Sequence, residues 1–350
     1  MKPSQQILSW ARNEIIALNP YASAREEFTS TDRNMILLDA NENPFPNGIN
    51  RYPDPLQKNV KKRLAEHKQV RPENIFLSNG SDEFFHQLML VFCRPGKDNV
   101  MILPPTFGMY KVCADINAID VIEIPLTSDF QLDVKSILAQ KKKNTKAVFI
   151  PSPNNPTGNC FEKSDIKEII EGFDGLVVVD EAYVEFAEGK SVLPWVDQYD
   201  NLVVTQTFSK AQGMAGARLG MAYAHPTLIE LLNKVKAPYN INDLTQKRIL
   251  ERLDEQGLVV QQVQLLLNEK KRLLSEFKHI GFIEKIYPSD ANFVMIQVDN
   301  SHDRYQKLIE EGIVVRNPSK NLNCENTLRI TVGLPEENNA LLGALRNMDE

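Results

Sequence analysis

The sequence predicts an α/β protein. A large domain over residues 35–243 is expected to carry a mostly parallel sheet between helices, and residues 1–34 and 244–350 a smaller α+β domain with an N-terminal arm. Three observations predict this. From "RYPDP" at 51–55 onward, strand-like and helix-like stretches alternate, the pattern of strands joined by crossover helices. Several strand candidates are unbroken runs of Val, Ile and Leu, which suit strands covered on both faces. After about residue 240 the alternation gives way to a long helical stretch and then to short strands and helices.

The elements follow in order. "SWARNEIIAL" (9–18) reads as a short amphipathic helix, and "MILLDANENPFPNG" (35–48) as a strand and a proline-bearing turn. Apolar positions 56, 60 and 64 give 53–68 a helical period. "NIFLSNG" (74–80) is a strand ending at a glycine turn, and "SDEFFHQLMLVFC" (81–93) a helix with a broad apolar face. "NVMILPP" (99–105), "DVIEIPL" (120–126) and "KAVFIPSPNNPTG" (146–158) are strands cut off by proline or glycine. A helix over 163–173 leads to the strands "GLVVVDEAY" (175–183) and "NLVVTQTFSK" (201–210). Residues 244–280 are strongly helical, as two helices or as one with a break at Gly257. Strands at 292–298, 313–317 and 327–333 and helices at 303–312 and 335–348 complete the second domain.

Composition narrows the function. A net charge of -6 gives no support for a nucleic-acid or anionic-membrane surface. No apolar run reaches membrane-spanning length, and the N-terminus lacks a signal-peptide pattern. Cys93, Cys113, Cys160 and Cys324 are widely separated in apolar stretches, as expected of reduced thiols in a cytoplasmic protein. The five histidines do not cluster, so no metal is expected, and neither GxGxxG nor a P-loop motif is present.

In such sheets ligand groups sit just past the C-terminal ends of the strands. Polar groups stand at those places here: Asn155, then Asp180 and Tyr183, then Ser209 and Lys210. The turn at Gly80-Ser81 opens a helix and offers backbone N–H groups to an anion, and Ser209 with Arg218 could complete that seat. Singly, each has an ordinary explanation: a turn aspartate, a solvated lysine, a surface arginine. Together, an amine, a carboxylate, a tyrosine hydroxyl and a phosphate seat are the parts needed to hold pyridoxal phosphate (PLP). The amine would form a Schiff base with the aldehyde, and the carboxylate would keep the ring nitrogen protonated.

With these residues in view, the chain resembles the fold-type I PLP-dependent aminotransferases, and within them the histidinol-phosphate aminotransferase family. "DEAY" (180–183), "SK" (209–210) and the distal Arg329 carry the wider resemblance. "NENPF" (41–45), "RYPDP" (51–55), "PTFGMY" (105–110) and "LRITVG" (328–333) carry the narrower one. "LNPYASAR" (18–25), "PNNPTG" (153–158) and "YNIN" (239–242) add to it, and Gln212 departs from the aromatic or leucine that related sequences often have there.

The resemblance implies a seven-stranded sheet and a homodimer. It implies Lys210 as the Schiff-base lysine and proton shuttle, Asp180 on the ring nitrogen, Tyr183 and Asn155 on the phenolic oxygen, and Phe107 stacked on the ring. The cofactor phosphate would take Gly80, Ser81, Asp82, Thr207, Ser209 and Arg218, with Tyr52 reaching into the neighbouring subunit's site. Arg329 would grip glutamate's α-carboxylate or the phosphate of histidinol phosphate, helped by Arg316 and Tyr21. The implied reaction exchanges an amino group between histidinol phosphate and 2-oxoglutarate. An aromatic aminotransferase, a threonine-phosphate decarboxylase and a non-catalytic PLP-binding regulator are the competing readings.

Overall fold

The computed structural model describes residues 4–21 and 36–349. A seven-stranded, mostly parallel sheet runs in the order β1-β7-β6-β5-β4-β2-β3, and a three-stranded sheet in the order β10-β9-β8. The strands are β1 (Ile75–Asn79), β2 (Asn99–Ile102), β3 (Asp120–Glu123), β4 (Thr145–Pro151), β5 (Leu176–Asp180), β6 (Leu202–Thr207), β7 (Leu219–Tyr223), β8 (Ile283–Ile286), β9 (Phe293–Val298) and β10 (Thr327–Thr331). Strands β2, β4 and β5 pair in parallel, whereas β7 runs antiparallel to both β1 and β6. Every residue of β5 and β6 is buried, as their Val/Leu runs predict.

The chain divides into two compact units. The first holds residues 1–98, 113–120 and 193–256. Around β1, β6 and β7 it packs α1 (Gln5–Trp10), α2 (Asn13–Ile16), α3 (Lys58–Lys68), α4 (Ser81–Phe92), α8 (Pro226–Val235) and α9 (Asp243–Asp254). Helix α4 turns Phe84, Phe85, Leu88, Met89 and Phe92 inward, and carries Asp82 and Glu83 in its first turn, where negative charge complements the helix dipole. In α9 the Asn242 side chain caps the start by accepting from the Thr245 N–H at 2.8 Å.

The second unit holds residues 99–112, 121–192 and 257–350. Helices α6 (Val134–Gln140) and α7 (Lys163–Gly172) accompany β4 and β5, and α5 (Met109–Ile116) follows β2 in the chain. Helices α10 (Gln256–Glu276), α11 (Ser301–Glu310) and α12 (Pro335–Asn347) accompany the smaller sheet. Its core joins Leu273, Phe277, Val294, Ile296, Leu328 and Leu345, all fully buried. Each such side chain contributes roughly 1.5–3 kcal/mol of burial.

Several elements differ from the sequence expectation. The first helix is two short ones, α1 and α2, because the chain leaves helical geometry at Ala11, with ψ 155°. No strand forms over residues 36–38: Ile36 and Leu38 are 86% and 87% exposed. Met35 lies outside the described residues. Of the two readings of 244–280 the two-helix one holds: α9 and α10 meet at Glu255, and Gly257 lies inside α10. Residues 313–317 make a single bridge, Arg316 to Arg329, instead of a strand.

One buried charge has a measurable consequence. Lys61, on the inner face of α3, is 8% exposed, and burial with the nearby Lys236 charge pushes its ammonium down to about 8, against an opposing pull from Asp54. Between pH 8 and the ordinary lysine value the unfolded chain binds the extra proton, so stability rises with pH there. Below pH 8 both states are protonated and the whole penalty stands. Lys61→Met is therefore expected to stabilise the fold by up to about 3 kcal/mol at neutral pH, a gain that fades towards pH 10. Urea melts at both pH values check this; equal gains at both would contradict it.

Candidate active site

In the first unit, the end of β6 and the start of α4 build an anion seat. Gly80 is the N-cap of α4 with φ 75°, and no side chain caps the helix there. The first backbone N–H groups of a helix are donors without an intrahelical acceptor. Ser78, on β1, donates its hydroxyl to the Gly80 carbonyl at 2.8 Å and fixes the turn. Thr207, at the last position of β6, donates its hydroxyl to Ser209 Oγ at 3.0 Å and accepts from the Ser209 N–H at 3.1 Å. Arg218, in left-handed backbone at φ 54°, places Nη2 3.6 Å from the Asp82 carboxylate, and its side chain is half exposed. A Cβ at Gly80 would run into that guanidinium. An uncapped helix start, two hydroxyls and an arginine form a donor set suited to a phosphate dianion.

Lys210 is exposed one residue beyond Ser209, while Phe208 is buried and donates its N–H to the Leu219 carbonyl at 3.0 Å. Strand β6 therefore ends in an anchor, and the amine is presented immediately after it. Gln212 has a structural job: it is 4% exposed, exchanges amide hydrogen bonds with Gln256 at 3.1 and 3.3 Å, and its carbonyl accepts from Arg252 Nε at 2.9 Å.

Also in the first unit, Tyr52 stacks on Tyr239, with centroids 4.4 Å apart and planes 14° from parallel. Tyr52 and Tyr21 line one open groove of about 890 Å³ together with Glu42, Ile49 and Leu244. The last four residues of "LNPYASAR" lie outside the described residues.

In the second unit, the ends of β4 and β5 present the other predicted groups. Asp180, the last residue of β5, is 5% exposed. Its Oδ2 accepts from the Tyr110 hydroxyl at 2.7 Å and its Oδ1 from the Ala182 N–H at 3.2 Å. Tyr183 packs edge-on against Phe293, with centroids 5.2 Å apart. Burial pushes its phenol up to about 12; the Asp180 charge adds to this and Arg329 opposes it. Tyr183 thus holds its proton at neutral pH and can donate. Phe107 meets Tyr110 edge to face at 5.6 Å.

Arg329 donates Nη1 to Asn155 Oδ1 and lies 5.1 Å from the centre of the Phe293 ring. Its Nε is buried with no hydrogen-bond partner. Burial lowers its pKa, and the Arg316 charge adds to that effect. Backbone hydrogen bonds of 2.8 and 3.0 Å hold Arg316 and Arg329 side by side. Two arginines on paired backbone, one with an unmet buried donor, suit a bound anion.

The sequence reasoning assigned no role to Tyr110 or Phe293. Tyr110 stands in "PTFGMY" three residues after Phe107, but nothing local points its hydroxyl at Asp180, 70 positions away. Phe293 carried no local signal, because its neighbours Tyr183 and Arg329 are distant in the chain.

This fold and these groups define an aminotransferase: the chain belongs to the aminotransferase class I and II family, whose model matches residues 34–345. Histidinol-phosphate aminotransferase from Flavobacterium johnsoniae is 49% identical over 96% of each chain. Likeness at that level places the chain, within the class, among the histidinol-phosphate aminotransferases. Among solved structures, the histidinol-phosphate aminotransferase from Clostridium acetobutylicum superposes with a TM-score of 0.79 at 23% identity, covering 86% of this chain and 91% of that one. The enzyme from Sinorhizobium meliloti in complex with pyridoxal-5'-phosphate gives 0.79 at 21%, covering 85% and 84%. Among the described residues, no helix is long and apolar enough to cross a membrane.

Proposed function

We propose that this chain catalyses reversible transfer of an amino group between histidinol phosphate and 2-oxoglutarate, as a cytoplasmic PLP enzyme of histidine biosynthesis. The observation that carries the substrate reading is the Arg316–Arg329 pair with its unmet buried donor, together with the full-length likeness to histidinol-phosphate aminotransferases. The donor set fits PLP: an anion seat for its phosphate, a buried carboxylate for its ring nitrogen and a protonated phenol for its ring oxygen. When bound, PLP supplies an aldehyde to take the amine and a cationic ring to accept electrons from the substrate Cα.

The chain's own groups do the rest. The N–H groups of Gly80, Ser81 and Asp82, the hydroxyls of Thr207 and Ser209, and Arg218 hold the phosphate. Asp180 holds the proton on the ring nitrogen, Tyr183 and Asn155 bind the ring oxygen, and Phe107 covers the ring face. Lys210 Nζ moves the proton between the substrate Cα and the cofactor C4' atom, the work of a positioned general base. Arg329 binds the anionic group of either substrate, and Arg316 and Tyr21 supply further contacts to it.

The working unit in this reading is a homodimer in which Tyr52 completes the neighbouring subunit's phosphate seat. In support, Ile36, Leu38, Phe45, Ile49 and Tyr52 are each more than half exposed along one segment, an apolar surface that suits a partner.

Arg329→Leu is expected to raise KM for both glutamate and histidinol phosphate by about a hundredfold, the worth of a buried charge-assisted contact. Steady-state kinetics with each substrate check this. Loss with one substrate alone would show that the two anions bind in separate places.

A further inference from the structure

We propose that Tyr110 is a positioning residue of this site: its hydroxyl aims the Asp180 carboxylate at the ring nitrogen of the bound cofactor. The inference rests on the reading of Asp180 given above. Tyr110 is fully buried, and a buried hydroxyl is costly unless it is hydrogen-bonded. It donates to Asp180 Oδ2 at 2.7 Å, the short distance of a charge-assisted bond. Its ring is held on two sides, stacked on Phe149 of β4 at 4.9 Å and 13°, and edge to face with Phe107 at 5.6 Å and 87°. Phe149 is itself fully buried. The phenol therefore has little freedom to leave the carboxylate. Phenylalanine would fill the same space and keep both ring contacts, so packing alone does not require the hydroxyl.

The bond acts in two ways. It fixes one oxygen of a carboxylate whose other oxygen the Ala182 N–H holds at 3.2 Å, and so sets the direction in which the group points. It also stabilises the ionised form in a buried place, which limits how far Asp180 draws the proton off the ring nitrogen. Removing the hydroxyl should weaken the cationic character of the ring, and with it the influence that lowers the proton affinity of the nitrogen joined to Lys210.

The test uses Tyr110→Phe in the full-length protein, with Asp180→Asn and the double variant. PLP affinity of the apoprotein is measured by fluorescence titration, and the visible band of the PLP-loaded protein is followed against pH. Tyr110→Phe is expected to weaken PLP binding by about tenfold, the scale of one hydrogen bond to a charged group, and to move the band's midpoint to higher pH. In the Asp180→Asn background the same substitution should have no further effect on either reading. Wild-type values for Tyr110→Phe beside an impaired Asp180→Asn would overturn the inference and leave the Asp180 reading standing. Fully additive losses in the double variant would overturn it too, since they indicate a role that does not pass through Asp180. An Asp180→Asn variant that itself matches wild type would overturn both readings. Should Tyr110→Phe fold poorly, Phe149→Leu keeps the hydroxyl but removes its stacking support. A smaller shift in the same direction is expected there, and no shift would count against the proposal.

Discussion

Lys210→Ala is expected to lower turnover by about three orders of magnitude or more, the upper part of the range for a positioned general base. The fold should survive, because the anchors around the position are elsewhere. Phe208 is buried, its N–H is bonded to Leu219, and the Lys210 carbonyl that accepts from the Gly213 N–H at 2.9 Å belongs to the backbone. The Thr207 and Ser209 hydroxyls and Arg218 remain, so PLP should still bind, without covalent attachment. Borohydride reduction followed by peptide mapping should label Lys210 in the wild type and nothing at that position in the variant. A label on another lysine would remove Lys210 from the chemistry.

The same variant tests the shared site. In a two-fold dimer, Lys210→Ala and Tyr52→Ala chains would combine to give one intact and one doubly damaged site. An equal mixture, unfolded and refolded together, should recover about a quarter of wild-type activity, since half the dimers are mixed and each has one good site. No recovery would place Tyr52 in its own subunit's site, and about half of wild-type activity would place it outside both.

Gly220→Ala carries the second large effect. The register of β1 against β7 sets Gly220 opposite Ser78, and a Cβ there would collide with the backbone of Gly80 and Ser81. Backbone cannot step aside as a flexible side chain can, so overpacking of about 1–3 kcal/mol is expected. The displaced atoms are the start of α4, the anion seat itself. PLP affinity should therefore fall further than the loss of stability explains. Gly257→Ala is the control: nothing stands within 4 Å of its added methyl group, which lies in α10. Thermal melts with and without PLP compare the two. Equal behaviour would mean that the close approach of β7 to α4 is unimportant.

Gly220 also shows what could be read in the sequence. Small residues dominate after Lys210, from Ala211 and Gly213 to Gly220, but nothing local says what comes close to them. For Gly220 the structure places the α4 backbone there. Strands β4, β5 and β6 were legible because their β-branched runs end at proline, glycine or a polar cluster. The polar residues at those ends were legible for the same reason. Residues 36–38 misled because an apolar run looks like a strand whether or not a neighbour pairs with it, and theirs is exposed. Strand β8 was missed because Ile283–Ile286 holds only two apolar residues, too few to show a period. The Tyr110–Asp180 and Arg329–Asn155 bonds join residues 70 and 174 positions apart, and local periodicity has no means of pairing them.

The central claim is that this chain works on histidinol phosphate and glutamate through a PLP held at Lys210. Single-turnover spectroscopy of the PLP-loaded protein tests it most directly, with histidinol phosphate, glutamate, phenylalanine and threonine phosphate each added alone. The account predicts rapid conversion of the visible band by histidinol phosphate and glutamate, slow conversion by phenylalanine, and no carbon dioxide from threonine phosphate. Faster conversion by phenylalanine than by histidinol phosphate, or release of carbon dioxide, would contradict it.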